Sequence, residues 1–441
     1  MTAFDRDTLI QVALTPDDAV RAPADLGDEI HRAVQATAQR RRPFDLSRFN
    51  WPARSSPAFV ALLLMLLLVL LVGSLILLSR LPSPPSRLTT YHGGPERTGV
   101  MPGPGPQGDP VIDWEAQRNG ALPFTIMPVV ADGRVFVADD SGTTGALDET
   151  TGDELWRASV GSPIRASPVL VGGYVIVGSD FGDVVALRAT DGAEVWRFSA
   201  SGRVSASLIA VDQTVYVGSE DGALHALAVA SGEEIWSIST GGSINRGPAI
   251  SDGVIYVGAR GGLLSAIDAI NRMTLWSVEL GDGDVGTPAV AGEAVYVARG
   301  IESTTESPHD LIALDVDDGS ELWTFASPSG QQVLPGAVGD DLVYAVSEDG
   351  NVYALDPGTG AVAWSHATDA RIGSLASLVD GVLYVSSTDG TVRALDAATG
   401  RLRWSVRLRG EPTMPAVING RVVVGTTLGQ VVAIAGTEDV P

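Results

Sequence analysis

Residues 167–199 read SPVLVGGYVIVGSDFGDVVALRATDGAEVWRFS, and this stretch decides the fold. It alternates short apolar runs with tight turns and ends on a run that contains tryptophan. The same text recurs at 247–279 (GPAISDGVIYVGARGGLLSAIDAINRMTLWSVE) and at 335–367 (PGAVGDDLVYAVSEDGNVYALDPGTGAVAWSHA). The apolar runs are rich in Val, Ile and Tyr with little polar interruption, which predicts short strands buried on both faces.

The first turn of each unit carries a hairpin signal. It reads Asp-Gly or Asn-Gly in four copies, and both central residues of a type I′ hairpin need a positive φ that these residue types tolerate. These copies are Asp132-Gly133, Asp252-Gly253, Asp380-Gly381 and Asn419-Gly420. The first two runs of each unit are therefore predicted to form an antiparallel hairpin.

The tryptophans give the period of the repeat. They stand at positions 114, 156, 196, 236, 276, 323, 364 and 404, at intervals of 42, 40, 40, 40, 47, 41 and 40 residues. A period near 40 is the size of one four-stranded blade of a β-propeller. Because a tryptophan recurs in every unit, we interpret these side chains as packing between blades and not as a ligand platform.

Seven complete units and two fragments make eight blades. The fragment Pro415–Ile434 has three strands and no tryptophan strand, while Pro110–Gln117 has a tryptophan strand and nothing before it. Together they complete one blade, so an N-terminal strand is predicted to close the ring and to remove an exposed sheet edge. The predicted fold is all-β: an eight-bladed propeller over 108–436, preceded by a linker over 79–107.

The pattern A-L-D-x-x-T-G-x-x-x-W, intact at Ala354–Trp364 and Ala394–Trp404, resembles the repeat of pyrroloquinoline-quinone-type β-propellers. That family includes quinoprotein dehydrogenases, outer-membrane-assembly lipoproteins of the BamB type and sensor domains of some bacterial membrane kinases. The resemblance implies the propeller fold and an innermost first strand in each blade. It leaves the function open, because one fold hosts many functions.

A membrane helix is predicted before the propeller. Residues 58–78 (AFVALLLMLLLVLLVGSLILL) contain no charge, and at about 1.5 Å per residue they are long enough to span a bilayer. Five arginines precede this run closely and two follow it, which predicts a single-pass protein with a cytoplasmic N-terminus and an extracytoplasmic propeller. Residues 1–57 are predicted to be a short, partly helical cytoplasmic segment, either a solvated tail or the output part of an anti-sigma-like regulator.

Composition excludes several functions. The formal charge is −24 and every basic residue is arginine, so we expect no nucleic-acid partner. The chain contains no cysteine, whereas the quinoprotein resemblance implies a quinone stacked on a vicinal cysteine disulfide, with Ca²⁺ held by side-chain oxygens. We therefore expect no enzyme activity, no quinone, no metal and no other cofactor. A quinone-dependent oxidoreductase stays open as the least favoured alternative.

Candidate ligand-binding residues lie in the connections that enter the first strand of each blade. They are Arg165, Arg203, Asn245, Arg246, Gln332 and Arg371. Closing the ring is expected to gather the four arginines around one mouth of the channel, where they would attract anionic groups. An insertion at 299–310 causes the 47-residue interval and is a second candidate for a partner contact.

The preferred hypothesis from the sequence is a membrane-anchored, non-catalytic binding or scaffold module. Its partner would be an envelope protein or an anionic polymer. The alternative is a transmembrane sensor in which the propeller detects a ligand and residues 1–57 respond.

Overall fold

The computed structural model describes residues 88–117, 126–301 and 308–439. They form 32 strands in eight antiparallel sheets of four strands each. Seven sheets take four consecutive strands, and the first strand of each lies beside the first strands of its neighbours. The predicted eight-bladed all-β propeller is therefore confirmed in the described part of the chain.

Blades 1 to 4 follow one another at the same period. Their strands are β2 (Val129–Ala131), β3 (Arg134–Ala138), β4 (Thr143–Asp148) and β5 (Glu154–Ser159); β6 (Val169–Val171), β7 (Tyr174–Gly178), β8 (Asp183–Arg188) and β9 (Glu194–Ser199); β10 (Ile209–Val211), β11 (Thr214–Gly218), β12 (Ala223–Ala228) and β13 (Glu234–Ser239); β14 (Ala249–Ser251), β15 (Val254–Gly258), β16 (Leu263–Asp268) and β17 (Met273–Glu279).

Blades 5 to 7 continue the ring. Their strands are β18 (Ala289–Ala291), β19 (Ala294–Ala298), β20 (Leu311–Asp315) and β21 (Glu321–Phe325); β22 (Val333–Val338), β23 (Val343–Ser347), β24 (Asn351–Leu355) and β25 (Val362–Ala367); β26 (Ser377–Val379), β27 (Val382–Ser386), β28 (Thr391–Asp396) and β29 (Leu402–Arg407). The insertion lies between β19 and β20, as the interval predicts.

Blade 8 is built from both ends of the propeller. It contains β30 (Ala416–Ile418), β31 (Arg421–Gly425), β32 (Gln430–Gly436) and, as its outermost strand, β1 (Pro110–Gln117). β1 pairs antiparallel with β32, from Pro110 opposite Gly436 to Gln117 opposite Gln430. At this seam Arg421 Nε donates to Asp113 Oδ2 over 2.8 Å. The predicted ring closure by an N-terminal strand is confirmed.

The hairpins have the backbone that their residues predict. Asp132 and Gly133 both have positive φ, at 54° and 72°, which turns β2 directly into β3 with the twist of a type I′ turn.

Tryptophans join neighbouring blades. The indole of Trp114 packs against Gly152 in the last turn of blade 1, and its Nε1–H donates to the Glu149 carbonyl oxygen over 3.0 Å. Trp156, Trp196, Trp323 and Trp364 repeat this contact with the next blade along the ring. The aromatic area and the hydrogen bond together hold each pair of sheets in register.

No helix among the described residues has the length and apolar character needed to cross a membrane. The predicted membrane helix (58–78) and the predicted cytoplasmic segment (1–57) lie outside those residues.

Candidate functional site

The central channel is closed at one end by an entry segment, residues 88–105. Its backbone hydrogen-bonds to the first strand or first hairpin of seven blades, beginning with a reciprocal pair between Leu88 and Val130 in blade 1 and ending at Gly420 in blade 8. These residues fall within the region that the sequence predicted as a linker (79–107). They do more than connect, because they fill the end of the channel where the first strands turn into their hairpins.

Arg97 supplies the contact to the remaining blade. It is completely buried, and its guanidinium donates to the carbonyl oxygens of Ser207 (3.0 Å) and Leu208 (2.8 Å) in the connection that enters blade 3. It also donates to the carbonyl oxygens of Pro248 (3.1 Å) and Tyr91 (2.7 Å). Burial lowers the Arg97 pKa to about 10, so the group stays charged at neutral pH. No carboxylate among the described residues forms an ion pair with it.

Two aromatic side chains of the entry segment surround this charge. The ring of Tyr91 lies 5.3 Å from the Arg97 guanidinium carbon. His92 is buried and its Nε2 donates to the Gly336 carbonyl oxygen over 2.8 Å. Burial, reinforced by the charge of Arg97, lowers the His92 pKa to about 4. His92 is therefore neutral at physiological pH, and Arg97 carries the only full charge of this buried cluster.

A cavity of about 860 Å³ occupies the channel above the entry segment. Its deep part contains Tyr91 and three buried apolar side chains, Met127, Leu375 and Met414. Its wider part is lined by hydroxyl and amide groups from blades 5 to 8. Four charged side chains also line the cavity. The charged residues are Arg246, Glu348, Arg371 and Glu411.

The cavity contains three of the six predicted site residues, namely Arg246, Gln332 and Arg371. Arg165, Arg203 and Asn245 are not among its lining residues. The cavity lining comes mainly from blades 5 to 8, whereas Arg165 and Arg203 stand in the connections that enter blades 2 and 3. The arginines also differ in their position relative to a buried aliphatic side chain, which is Ile164, Val204, Ile244 or Ile372.

Arg203 and Arg371 directly precede the buried residue of their connections, Arg165 directly follows it, and Arg246 stands two positions after Ile244. Arg246 is consequently half-buried, whereas the Arg371 side chain is 57% exposed at the mouth.

Acidic groups balance the exposed arginines. Arg371 forms an ion pair with Glu348, and Arg165 Nε lies 3.0 Å from Asp180 Oδ2. The Asn245 side chain donates to Asp284, which is buried. The mouth is therefore not uniformly positive, and the charge that has only neutral hydrogen-bond acceptors is the buried guanidinium of Arg97, beside Tyr91.

The insertion reaches the cavity through its two ends. Ile301 and His309 line the cavity, and Ile301 exchanges backbone hydrogen bonds with Asp284. Arg299 and Asp310 form a partly buried ion pair, 2.6 Å from Nε to Oδ1, that ties the ends together. The base of the insertion is thus a fixed part of the cavity wall.

The lining does not fit the cofactor that the quinoprotein resemblance implies. The chain has no cysteine for a vicinal disulfide. Within 88–117, 126–301 and 308–439 there is no group of three His, Asp or Glu side chains suited to a metal ion. The cavity offers guanidinium, hydroxyl and amide groups that can donate hydrogen bonds to a ligand.

The sequence pattern did not reveal Tyr91, His92 and Arg97. The available signal was a histidine and a lone arginine within a glycine-rich stretch, YHGGPERTGV (91–100). Such a stretch predicts an irregular segment. Its buried charge depends on carbonyl groups that only the closed ring brings together.

Comparison with known proteins agrees with this architecture. The family described as outer membrane protein assembly factor BamB matches the chain over three overlapping ranges, residues 111–242, 220–378 and 307–438. No curated protein matches the chain.

Several solved structures are similar in fold. BamB from Moraxella catarrhalis has a TM-score of 0.61 at 21% identity, and the match covers 74% of this chain and 99% of that one. The computationally designed Ika8 protein has a TM-score of 0.64 at 18% identity, covering 72% and 98%. Quinohemoprotein alcohol dehydrogenase from Comamonas testosteroni has a TM-score of 0.63 at 15% identity, covering 79% and 80%.

Proposed function

We propose, from the premise that this chain belongs to the outer membrane protein assembly factor BamB family, that it is a non-catalytic binding module of the cell envelope. In this proposal a helix over 58–78 anchors it in the cell membrane, and the propeller lies outside the cytoplasm. The closed-ended cavity is the binding site, and the partner is an envelope protein or an anionic polymer.

The observation that carries the proposal is the cavity itself. It is closed at one end by the entry segment, so a ligand enters from the other end, where Arg371, Gln332 and the base of the insertion lie. A concave polar site of this size, with a few charged groups on a rigid ring, is a typical ligand site.

The polar groups of the cavity favour binding over catalysis. Ser386 Oγ donates to the Thr413 carbonyl oxygen over 2.8 Å, and His309 Nδ1 lies 2.8 Å from the Gly300 carbonyl oxygen. These groups hold the wall together. No described residue of the lining forms the hydrogen-bonded nucleophile–base pair that covalent catalysis requires.

Blocking the cavity tests the proposal. Because the chain lacks cysteine, a single Gln331→Cys substitution places one thiol in the lining, where a bulky maleimide attaches specifically. Ile270→Cys is the matched control, since Ile270 is 82% exposed and lies outside the cavity. The full chain is labelled in envelope preparations, and its partners are then captured by cross-linking.

We expect the label on the Gln331→Cys protein to abolish capture of partners that the labelled Ile270→Cys protein retains. Equal capture by the two labelled proteins would show that the cavity is not the binding site.

A further inference from the structure

We propose that the deep part of the cavity binds a single carboxylate at the end of a peptide chain, the C-terminal carboxylate of a polypeptide. This inference rests on the proposed function, because it takes the cavity to be the binding site. It chooses between the two classes of partner that the sequence left open, a protein and an anionic polymer.

A charge without a counter-charge lies beneath the cavity. Arg97 is completely buried, and its hydrogen-bond partners are four neutral carbonyl groups. Neutral acceptors satisfy its N–H groups but leave its net charge without a counter-charge, in a medium where charges interact strongly. An anion that reaches the deep part of the cavity supplies that counter-charge.

Two groups of the cavity lining can contact such an anion. Tyr91 and Arg246 both line the cavity, and the guanidinium carbon of Arg97 lies 5.3 Å from the Tyr91 ring. Burial raises the pKa of the Tyr91 phenol, and the charges of Arg97 and Arg246 oppose that rise. A guanidinium and a phenol O–H are a suitable donor set for one carboxylate.

The acidic groups at the mouth favour a ligand with one negative charge. Glu348 and Glu411 line the mouth, and Glu348 already pairs with Arg371. Residues 81–441 carry 45 acidic residues and 20 arginines, so a polyanion would be repelled along its length. In a polypeptide whose only negative charge is its C-terminal carboxylate, this repulsion acts on one group alone.

The rest of the cavity lining suits the end of a polypeptide. Met127, Leu375 and Met414 are buried beside Tyr91 and offer an apolar surface for a last side chain. Toward the mouth, hydroxyl and amide groups provide both donors and acceptors, as a peptide backbone requires. They include Thr287, Gln331, Gln332, Thr388 and Thr427.

The experiment uses the full chain in detergent and two fluorescein-labelled hexapeptide pools. Both pools are randomised over apolar residues at the last two positions. One pool ends in a free carboxylate and the other in a carboxamide. Fluorescence anisotropy measures binding to the wild type and to Arg246→Gln, with Arg203→Gln as the matched control, because Arg203 is an exposed arginine of an equivalent connection outside the cavity.

We expect the free-acid pool to bind the wild type at least about tenfold more tightly than the amide pool. We expect Arg246→Gln to remove that preference while its melting temperature stays near that of the wild type, and Arg203→Gln to keep the preference. Equal binding of the two pools, binding of neither pool, or an unchanged preference in Arg246→Gln would overturn the proposal.

Two further results test the source of the carboxylate and distinguish a failure of this inference from a failure of the proposed function. Displacement of the pool by N-acetyl-leucine as effectively as by unlabelled peptide would overturn a polypeptide as the source of the carboxylate. Loss of partner capture on blocking Gln331→Cys, together with equal binding of the two pools, would leave the binding function standing and refute the carboxylate alone.

Discussion

Replacing Arg97 by methionine is the most direct perturbation of the closed end of the channel. Methionine has a similar length but no donors, so the substitution removes four hydrogen bonds from a charged group to buried carbonyl oxygens. Bonds of this kind contribute about 1.5–3 kcal/mol each, or roughly 6–12 kcal/mol before any offset. Releasing a buried charge returns several kcal/mol. The expected net loss of unfolding free energy is therefore about 4 kcal/mol.

Thermal unfolding followed by tryptophan fluorescence measures this loss, and we expect the melting temperature to fall by roughly 5–10 °C. Arg203→Met is the control, because Arg203 is exposed and surface substitutions change stability by less than about 0.5 kcal/mol. A melting temperature for Arg97→Met that matches the control would refute the conclusion that this guanidinium joins the entry segment to blades 3 and 4.

Three other features lead to predictions. The folded-state pKa of His92, about 4, is below its unfolded value of 6.5, so protonation of His92 opposes folding. We expect its contribution to the free energy of unfolding to be constant above about pH 6.5 and to fall by about 3 kcal/mol toward pH 4. Urea titrations measure this change, and the same pH slope in a His92→Gln protein would contradict the assignment. Gly152→Ala places a Cβ 2.6 Å from the Trp114 ring at a φ of +74°, whereas Gly133→Ala has a similar φ of +72° and no atom within 4 Å of its Cβ. In thermal melting we expect Gly133→Ala to lose about 1 kcal/mol of unfolding free energy and Gly152→Ala to lose at least twice as much. Equal losses would exclude the steric contact with Trp114 as the cause. If residues 58–78 anchor the protein with its N-terminus inside, protease added to spheroplasts should digest the propeller, and a protected propeller would reverse the predicted topology.

The sequence predicts the blades well because the signals that define them are local. An Asp-Gly pair sets its own hairpin, and the recurring tryptophan marks the last strand of each blade. Even the closure by Pro110–Gln117 follows from counting incomplete units. The closed end of the channel follows from no such signal, because three of the four acceptors of Arg97 belong to the connections of blades 3 and 4, as much as 151 residues away.

The candidate site is predicted only in part for a related reason. Repeat spacing places all the arginines in the same set of connections, but the cavity is lined mainly by blades 5 to 8. The same position in a connection therefore lines the cavity at Arg371 and lies outside it at Arg203. The partners that neutralise Arg165 and Arg371 come from the neighbouring turns, Asp180 and Glu348. A pattern read along one connection does not reveal a charge supplied by another.

The two-piece construction of blade 8 has a consequence for the biosynthesis of the chain. Asp113 and Arg421 meet at the seam although 308 residues separate them, so β1 emerges from the ribosome before every other strand of the propeller and pairs only when β32, the last of them, has been made. Contacts between such distant residues are slow to form, and the nascent ring keeps an open sheet edge that can pair with other chains throughout that interval. A premature stop before β32 would make that open state permanent, leaving a truncated chain that chaperones and proteases can recognise by its unpaired strand.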